Sequence, residues 1–287
     1  MPAEAKHPRP GLPCPTACKR RLTRVAFAAL ALLGLAAGCG DKHNSSPTVQ
    51  EPTVTTTPLP ATQSETATAP GPKQLTRLHV YFARDGKVAP VGRNVPSTSA
   101  LAGAAVSALL AGPTAAERSE GLTTAVPDGT PPPGLTIANG VATVQLAGKL
   151  DAVAKAQLVY TLTQFPAISA VRLGGARPAA RSTYEQETPP ILVESPLPDQ
   201  AATSPVRFSG TANTFEATFQ ADVVDASGNV LATKTVTATS GSGDRGTFDE
   251  TIAYGDATGA GKLVVYEISA SDSSRIHQVE IPLRLGG

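Results

Sequence analysis

The cysteines, which have the most reactive side chains in the chain, are confined to its first part. Cys14, Cys18 and Cys39 all lie within the first 39 of 287 residues, so no disulfide can form in the remainder. Cys14 and Cys18 have no second pair of ligands nearby, and this spacing predicts no zinc site. Cleavage before Cys39 leaves a single thiol, at a new N-terminus.

The residues before Cys39 follow the order of an export signal. A basic stretch, 19–24, precedes an apolar run of about 13 residues over 25–37. A helix that spans a bilayer needs about 20 apolar residues, so this run is short for a permanent span. Leu35-Ala36-Ala37-Gly38-Cys39 resembles a bacterial lipobox, with Ala36 where that motif usually has leucine. The sequence therefore predicts a lipoprotein signal peptide over 1–38.

The lipobox resemblance implies that the Cys39 thiol receives diacylglycerol, with acyl chains such as palmitate. We therefore expect a lipoprotein held at the outer face of the cytoplasmic membrane through Cys39. An ordinary secretory signal and an uncleaved anchor are the alternatives. Residues 39–74 are rich in Thr, Pro, Ser and Ala, with almost no large apolar side chains. Such a segment buries too little surface to offset the entropy of ordering, so it is predicted to be a disordered tether.

Charge argues against nucleic acid as a partner. The whole chain has a net charge of +1, but residues 1–38 contain six of its 24 cations and one of its 23 anions. Removing that segment leaves a net charge of −4, which is mildly acidic. Binding to phosphate backbones needs a basic surface, and so does electrostatic docking to anionic lipid. Both are disfavoured for the mature chain.

No motif of the sequence predicts an enzyme. Gly259-Ala260-Gly261-Lys262 is similar to the end of a phosphate loop, but Leu263 stands where the magnesium-binding Ser or Thr belongs. No Ser precedes a Lys by three places, which a penicillin-binding type of nucleophile requires. His43, His79 and His277 are isolated from one another. We expect no catalytic residue, no metal and no cofactor.

Residues 75–189 are predicted to form an α+β domain. Apolar residues alternate over 78–82, which indicates a strand. Asn139-Gly140 lies between two apolar runs and is a strong hairpin signal. Helical spacing of apolar residues occurs over 101–109 and again over 150–165. The resulting order, β-α-β-β-α-β, favours two layers with helices on one face of a sheet.

The same segment resembles the bacterial sporulation and germination domain named after the germination protein GerM. The resemblance implies an assembly or binding role, and it brings no known catalytic residues. The matching residues are Val80-Tyr81-Phe82, Arg93, Leu109-Leu110-Ala111-Gly112-Pro113-Thr114, Glu117, Gly121-Leu122, Ala125-Val126-Pro127-x-Gly129-Thr130, Val144-x-Leu146 and Gln157-Leu158-Val159-Tyr160-Thr161-Leu162-Thr163-Gln164-Phe165-Pro166.

Four polar residues of this domain are candidates for contact with a partner. Gln157, Thr161 and Gln164 lie three to four residues apart on the last predicted helix and form one polar face. The alternative is a solvated flank beside the apolar stripe. Arg93 falls in a predicted loop, where it suits an acidic partner or simply points into solvent.

Residues 190–287 are predicted to be all-β. Turn residues separate seven short strands, the pattern of an immunoglobulin-like sandwich. The predicted strands cover 191–194, 206–211, 215–224, 230–239, 247–254, 263–269 and 276–283.

This second segment resembles the immunoglobulin-like domain of bacterial spore germination. Glu216, flanked by predicted strand residues, is its one candidate for a partner contact, and an ordinary surface carboxylate is the alternative. The matching residues are Ser195-Pro196, Ser204-Pro205-Val206, Gly210-x-Ala212, Phe215-Glu216-Ala217, Gly228, Gly246-Thr247-Phe248 and Ile281-Pro282.

Together these patterns predict a non-catalytic, membrane-anchored module that acts in binding or assembly in the cell envelope, in sporulation or spore germination. The membrane is the expected partner of the lipid on Cys39, and an envelope protein or peptidoglycan is the expected partner of the folded domains. Two alternatives remain open. One is an accessory lipoprotein that modulates a membrane sensor kinase, and the other is a cell-wall hydrolase or its activator.

Overall fold

The computed structural model describes residues 74–127, 134–146 and 148–286. They all belong to one compact unit of the chain, Thr66–Gly287. The predicted signal peptide, Cys39 and all of the predicted tether except Gln74 lie outside the described residues. Within the described part, no helix is both long and apolar enough to cross a membrane.

The described residues of the first domain form two sheets, three α-helices and one 3-10 helix, Arg181–Glu187. β1 and β2 form an antiparallel hairpin, while β3, β4 and β5 form a second sheet in which β4 and β5 run parallel. Helices α1 and α3 pack against β1. The elements are β1 (Leu75–Arg84), β2 (Lys87–Pro96), α1 (Leu101–Leu110), α2 (Ala115–Ser119), β3 (Gly134–Ala138), β4 (Val141–Gln145), α3 (Ala152–Leu162) and β5 (Ala170–Leu173).

This structure confirms an α+β domain but corrects the predicted order of its elements. The observed order is β-β-α-α-β-β-α-β, because the strand β2 and the short helix α2 are elements that the predicted order left out. Pro90, Gly92 and Pro96 interrupt the alternation on which strand prediction depends. An edge strand tolerates these residues, since only one side of its backbone is hydrogen-bonded.

The second domain is a two-sheet sandwich, as predicted. One sheet has the order β10-β9-β12-β13-β7 and the other β11-β8-β6. All seven predicted strands are present, and the short β7 is additional because three residues are too few to show a pattern. The strands are β6 (Ile191–Ser195), β7 (Gln200–Ala202), β8 (Val206–Ala212), β9 (Thr218–Asp225), β10 (Val230–Thr237), β11 (Gly246–Ile252), β12 (Gly259–Ile268) and β13 (Arg275–Leu285).

A single strand, β6, contributes to the cores of both domains. The Leu192 side chain packs into the core of the first domain, whereas its neighbours Ile191 and Val193 pack into the sandwich. Successive side chains of a strand point to opposite faces, so one strand can bridge two cores. Gly210 of β8 allows the close pairing, because a Cβ at this position would lie 2.0 Å from the Leu192 carbonyl oxygen.

Candidate functional site

Polar side chains of α3 and of the turn that follows it close the outer edge of β1. Gln164 accepts a hydrogen bond from the His79 N–H at 2.9 Å and donates one to the His79 carbonyl at 2.6 Å. Thr161 Oγ1 accepts from the Tyr81 N–H at 3.1 Å, and Gln157 Nε2 donates to the Tyr81 carbonyl at 3.2 Å. Three side chains thus replace a neighbouring strand.

This arrangement corrects the prediction that the face contacts an external partner. Gln157 and Thr161 are both 0 % exposed, so no partner can reach them. The side chain of Gln164 is engaged with His79. A backbone edge that is buried needs hydrogen-bond partners, and a helix that presents amide and hydroxyl groups at one-turn spacing supplies them. The spacing of Gln157, Thr161 and Gln164 correctly predicts that they share one face, but it does not show that this face points towards β1.

Arg93 is also a structural residue and not a free loop cation. It lies on β2, where its guanidinium forms two hydrogen bonds of 2.6 Å with the carboxylate of Glu117. The guanidinium also lies over the ring of Phe82, 5.2 Å from its centroid. Glu117 in turn caps α2 through the Thr114 N–H, so this ion pair fixes α2 against the β1–β2 hairpin. The predicted role in binding an acidic partner does not fit an arginine whose charge is already paired.

Burial alone would raise the pKa of Glu117, but hydrogen bonds from Arg93 and from the Thr114 N–H outweigh it and lower the pKa. A lowered pKa stabilises the fold above the unfolded-state value of about 4.3, and this contribution disappears as the pH falls through the folded-state pKa. We therefore expect Glu117→Gln to flatten the decline of the unfolding free energy between about pH 5 and pH 3, measured by urea unfolding. Arg93→Met should flatten it similarly, and curves parallel to that of the unmodified chain would contradict the assignment.

Glu216 lies on the surface in a short turn and not within a strand. The turn, Phe215–Ala217, precedes β9, and Glu216 has a backbone φ of 53°. Its N–H donates to Ser242 Oγ at 3.0 Å, and its side chain is exposed. A role for this carboxylate in binding a partner stays a prediction.

A partly buried arginine that the sequence analysis missed joins the two domains. Arg181 forms a 2.7 Å ion pair with Glu194 of β6 and donates to Thr163 Oγ1 at 2.7 Å. Its guanidinium lies over the rings of Tyr81 and Tyr160, at 5.5 and 4.6 Å from their centroids. The Tyr81 hydroxyl also donates to Glu194, and burial raises the pKa of this tyrosine well above its usual value. We call these five residues the interdomain clamp.

A second ion pair links the domains nearby. Arg245, in the loop before β11, pairs with Glu185 at 2.9 Å and donates to the Pro189 carbonyl at 2.8 Å. Asn213 donates to the same carboxylate at 2.9 Å. Burial works against the charged form of Glu185, but the hydrogen bonds from Arg245 and Asn213 lower its pKa overall. These polar contacts fix how the two domains pack against each other.

The packing of the two domains leaves an apolar groove of about 630 Å³ between them. We call it the interdomain groove. Its apolar walls come from β2 of the first domain and from β6 and β13 of the second. The lining residues are Arg84, Asp85, Lys87, Val88, Ala89, Pro90, Val91, Glu120, Leu122, Pro189, Ile191, Leu192, Val193, Pro196, Pro198, Gln278, Val279, Glu280, Ile281 and Pro282.

The charged residues at the groove are only partly neutralised. The ammonium of Lys87 donates to the Gln186 carbonyl, and Glu280 pairs with Lys262 at 2.7 Å. Asp85 and Glu120 are exposed, and neither forms an ion pair with another described residue. The groove thus combines apolar walls with two unpaired carboxylates and the guanidinium of Arg84, which forms no ion pair with another described residue and whose buried Nε has no hydrogen-bond partner there. The described residues include no cluster of three or more His, Cys, Asp or Glu side chains placed to hold a metal ion.

Comparison with known proteins identifies both domains. Residues 79–174 match the model of a family described as sporulation and spore germination, and residues 190–274 match that of the immunoglobulin-like domain of bacterial spore germination. No curated protein sequence matches the chain. Among solved structures, a similar one contains the tandem GerMN domains of the sporulation protein GerM from Bacillus subtilis. The two sequences are 14% identical, and the structures superpose with a TM-score of 0.34. The match covers 74% of this chain and 61% of the GerM structure, which is less than two thirds of its length. This chain therefore combines a sporulation and spore germination domain with an immunoglobulin-like domain of bacterial spore germination.

Proposed function

We propose that the protein is a non-catalytic binding or assembly module of the cell envelope, held outside the cell by the lipid on Cys39. The observation that carries the proposal is the interdomain groove, an apolar surface to which both domains contribute. An apolar concave surface bordered by polar residues is typical of a binding site. The identity of the two domains supports a role related to sporulation.

The distribution of charged side chains favours binding over chemistry at the domain junction. Arg93, Arg181 and Arg245 are each paired with a carboxylate of this chain, and each ion pair fixes one element of the fold to another. The pairs of Arg181 and Arg245 position the domains, and the pair of Arg93 fixes α2 within the first domain. All three leave no free acid or base among these residues for catalysis. The groove beside them offers apolar surface, which stabilises a bound partner by excluding water.

The membrane anchor rests on residues 19–39 and is tested by lipid labelling. We expect cells that express the unmodified chain to incorporate an alkyne-tagged fatty acid into it. Cys39→Ala removes the acceptor thiol, so label should be lost and the chain should migrate as the larger, unprocessed form. Cys18→Ala is the matched control and should be labelled like the unmodified chain. Unchanged labelling and processing of Cys39→Ala would rule out the anchor.

The binding role is tested by cross-linking the lipidated chain in its own cells, followed by mass spectrometry of the material that co-purifies. The proposal predicts a protein of the membrane or envelope in stoichiometric amount. A non-lipidated Cys39→Ala chain serves as the control for capture after lysis. Recovery of peptidoglycan fragments without any protein would instead indicate a role in wall binding or wall remodelling, and recovery of neither would contradict the proposal.

A further inference from the structure

Strand β3 of the first domain is an edge strand whose free side is exposed to solvent. In the described part of the chain, β3 pairs with β4 alone. Four of its five residues are exposed, and among them Ile137 is a large apolar residue that is 47% exposed. Unlike the buried strands at the domain junction, this edge is therefore accessible to another polypeptide backbone.

The hydrogen bonds of β4 show which backbone groups of β3 are free. The Gly174 N–H donates to the Val144 carbonyl at 2.9 Å, so the even-numbered residues of β4 face β5. The odd-numbered residues of β4 then face the even-numbered residues of β3. Leu135 and Ile137 consequently direct their N–H and C=O groups away from β4. No described residue bonds to these groups.

The apolar side of the sheet continues past this edge. Val144 and Ala142 of β4 are completely buried and contribute to the core of the domain. Leu135 and Ile137 pair with them across the ladder and therefore lie on the same side of the sheet. Leu135 packs against the core, whereas Ile137 stays exposed. One more strand along β3 would cover the Ile137 side chain.

This edge also lacks the charges that commonly protect edge strands. The five residues of β3 include no charged residue and no proline. The edge strands of the sandwich differ in this respect, since Lys234 lies on β10 and Asp249 and Glu250 lie on β11. Charged side chains on an edge oppose its pairing with a further strand. Nothing of this kind opposes pairing at β3.

We propose that the β3 edges of two copies of this protein pair in antiparallel orientation and join the copies into a dimer. Thr136 lies at the two-fold axis, and the backbone of Leu135 in each copy bonds to that of Ile137 in the other. This register matches every free N–H and C=O of both residues. A shift by one pair would set Ile137 against Pro133, which has no N–H for its carbonyl.

A second copy is the occupant that fits the chemistry of this edge. It brings the same uncharged residues, so no like charges meet at the axis. On the core side of the sheet, Ile137 would contact Leu135 of the second copy, and on the other side the two Thr136 side chains would meet. Five residues from each copy form a small interface, so we expect a reversible dimer with a dissociation constant of roughly 100 µM. This inference goes beyond the proposed function, which concerns a different surface.

Disulfide cross-linking of the full chain in cells tests the register. Residues that face each other across a two-fold axis in this way have Cα atoms about 4.5 Å apart, which is within the range of a disulfide. We therefore expect Thr136→Cys to form a covalent dimer on a non-reducing gel. Ala138→Cys is the matched control, exposed on the same strand, but its two copies would lie about 13 Å apart along the strands. The unmodified chain controls for the native cysteines.

Sedimentation equilibrium of the purified full chain measures the strength of pairing. Ile137→Lys places an ammonium beside Leu135 of the second copy and should weaken dimer formation at least tenfold. Val230→Lys makes the same change at a residue of edge strand β10 that is 51% exposed, and it should leave the dimer unchanged. The amides of Leu135 and Ile137 should also exchange hydrogen more slowly as the protein concentration rises.

Three results would overturn the inference. One is a full chain that stays monomeric at ten times the expected dissociation constant. Another is a dimer that Ile137→Lys and Val230→Lys weaken equally, or in which the two outward amides exchange as fast as in the monomer. The third is a covalent dimer that forms equally with Thr136→Cys and Ala138→Cys, or with neither. Capture of an envelope protein at the interdomain groove is independent of all three.

Discussion

Replacing Arg181 by alanine is expected to lower the free energy of unfolding by about 3 kcal/mol. The substitution leaves the carboxylate of Glu194 without its cation and removes the guanidinium that lies over the rings of Tyr81 and Tyr160. Because these groups belong to both domains, we expect the domains to separate more readily as well. Urea unfolding of the full chain measures the first effect, and limited proteolysis near residues 188–190 measures the second.

The control for this prediction is Arg207→Ala. Arg207 also forms an ion pair, with Asp249, but the two side chains are 72% and 51% exposed. Ion pairs of this kind contribute little to the free energy of unfolding, because water and salt screen them. The loss of unfolding free energy in Arg181→Lys should lie between those of Arg181→Ala and Arg207→Ala, since lysine keeps the charge but not the stacking on two rings. Equal losses of unfolding free energy for Arg181→Ala and Arg207→Ala would show that the interdomain clamp stabilises the fold no more than an exposed ion pair does.

Gln157→Leu is expected to cost about 2–5 kcal/mol although it replaces a polar side chain by an apolar one of similar size. Gln157 is completely buried, accepts from the Ala125 N–H at 2.8 Å and donates to the Tyr81 carbonyl at 3.2 Å. Leucine leaves both backbone groups buried without a partner. Each such group costs about 1–3 kcal/mol, which more than offsets the gain from burying an apolar side chain.

Gln145→Leu is the matched control. Gln145 ends β4, is exposed and makes no side-chain hydrogen bond to another described residue, so the unfolding free energy should change by less than about 0.5 kcal/mol. Hydrogen exchange of the Ala125 amide then locates the effect, because this N–H loses its acceptor in Gln157→Leu alone and should exchange faster there. A stability of Gln157→Leu equal to that of the unmodified chain would contradict the closure of the β1 edge by α3.

The sequence alone predicts the strands and turns whose residues follow a regular pattern. Alternation identified β1 and the strands of the sandwich, and the Asn139-Gly140 turn located the β3–β4 hairpin, which the structure confirms. Alternation failed for β2, where Pro90 and Gly92 stand in an edge strand. Gln157 and Thr161 were assigned to the surface because polar residues are usually exposed. Their burial follows from an unpaired strand edge, which the pattern of α3 alone does not contain.

The groove and the clamp could not be predicted because they depend on how two domains pack. Arg245 and Glu185 are 60 residues apart, and no local pattern links them. Leu192 has the appearance of an ordinary strand residue in the sequence, yet it packs into the other domain. The matches to two families identify each domain separately, and the surface between them exists only in the folded pair.

Capture of a partner at the surface shared by both domains is the most direct test of a binding module. The full chain, Gln278→Trp and Gln145→Trp are compared after cross-linking in the same cells, with equal amounts of folded, lipidated protein. Gln278→Trp places an indole at the rim of the groove, whereas Gln145→Trp adds the same group elsewhere on the surface. We expect the unmodified chain and Gln145→Trp to recover the same envelope protein in stoichiometric amount. Gln278→Trp should recover at least tenfold less of that protein. Full retention by Gln278→Trp, or no protein partner for the unmodified chain, would contradict binding at this groove.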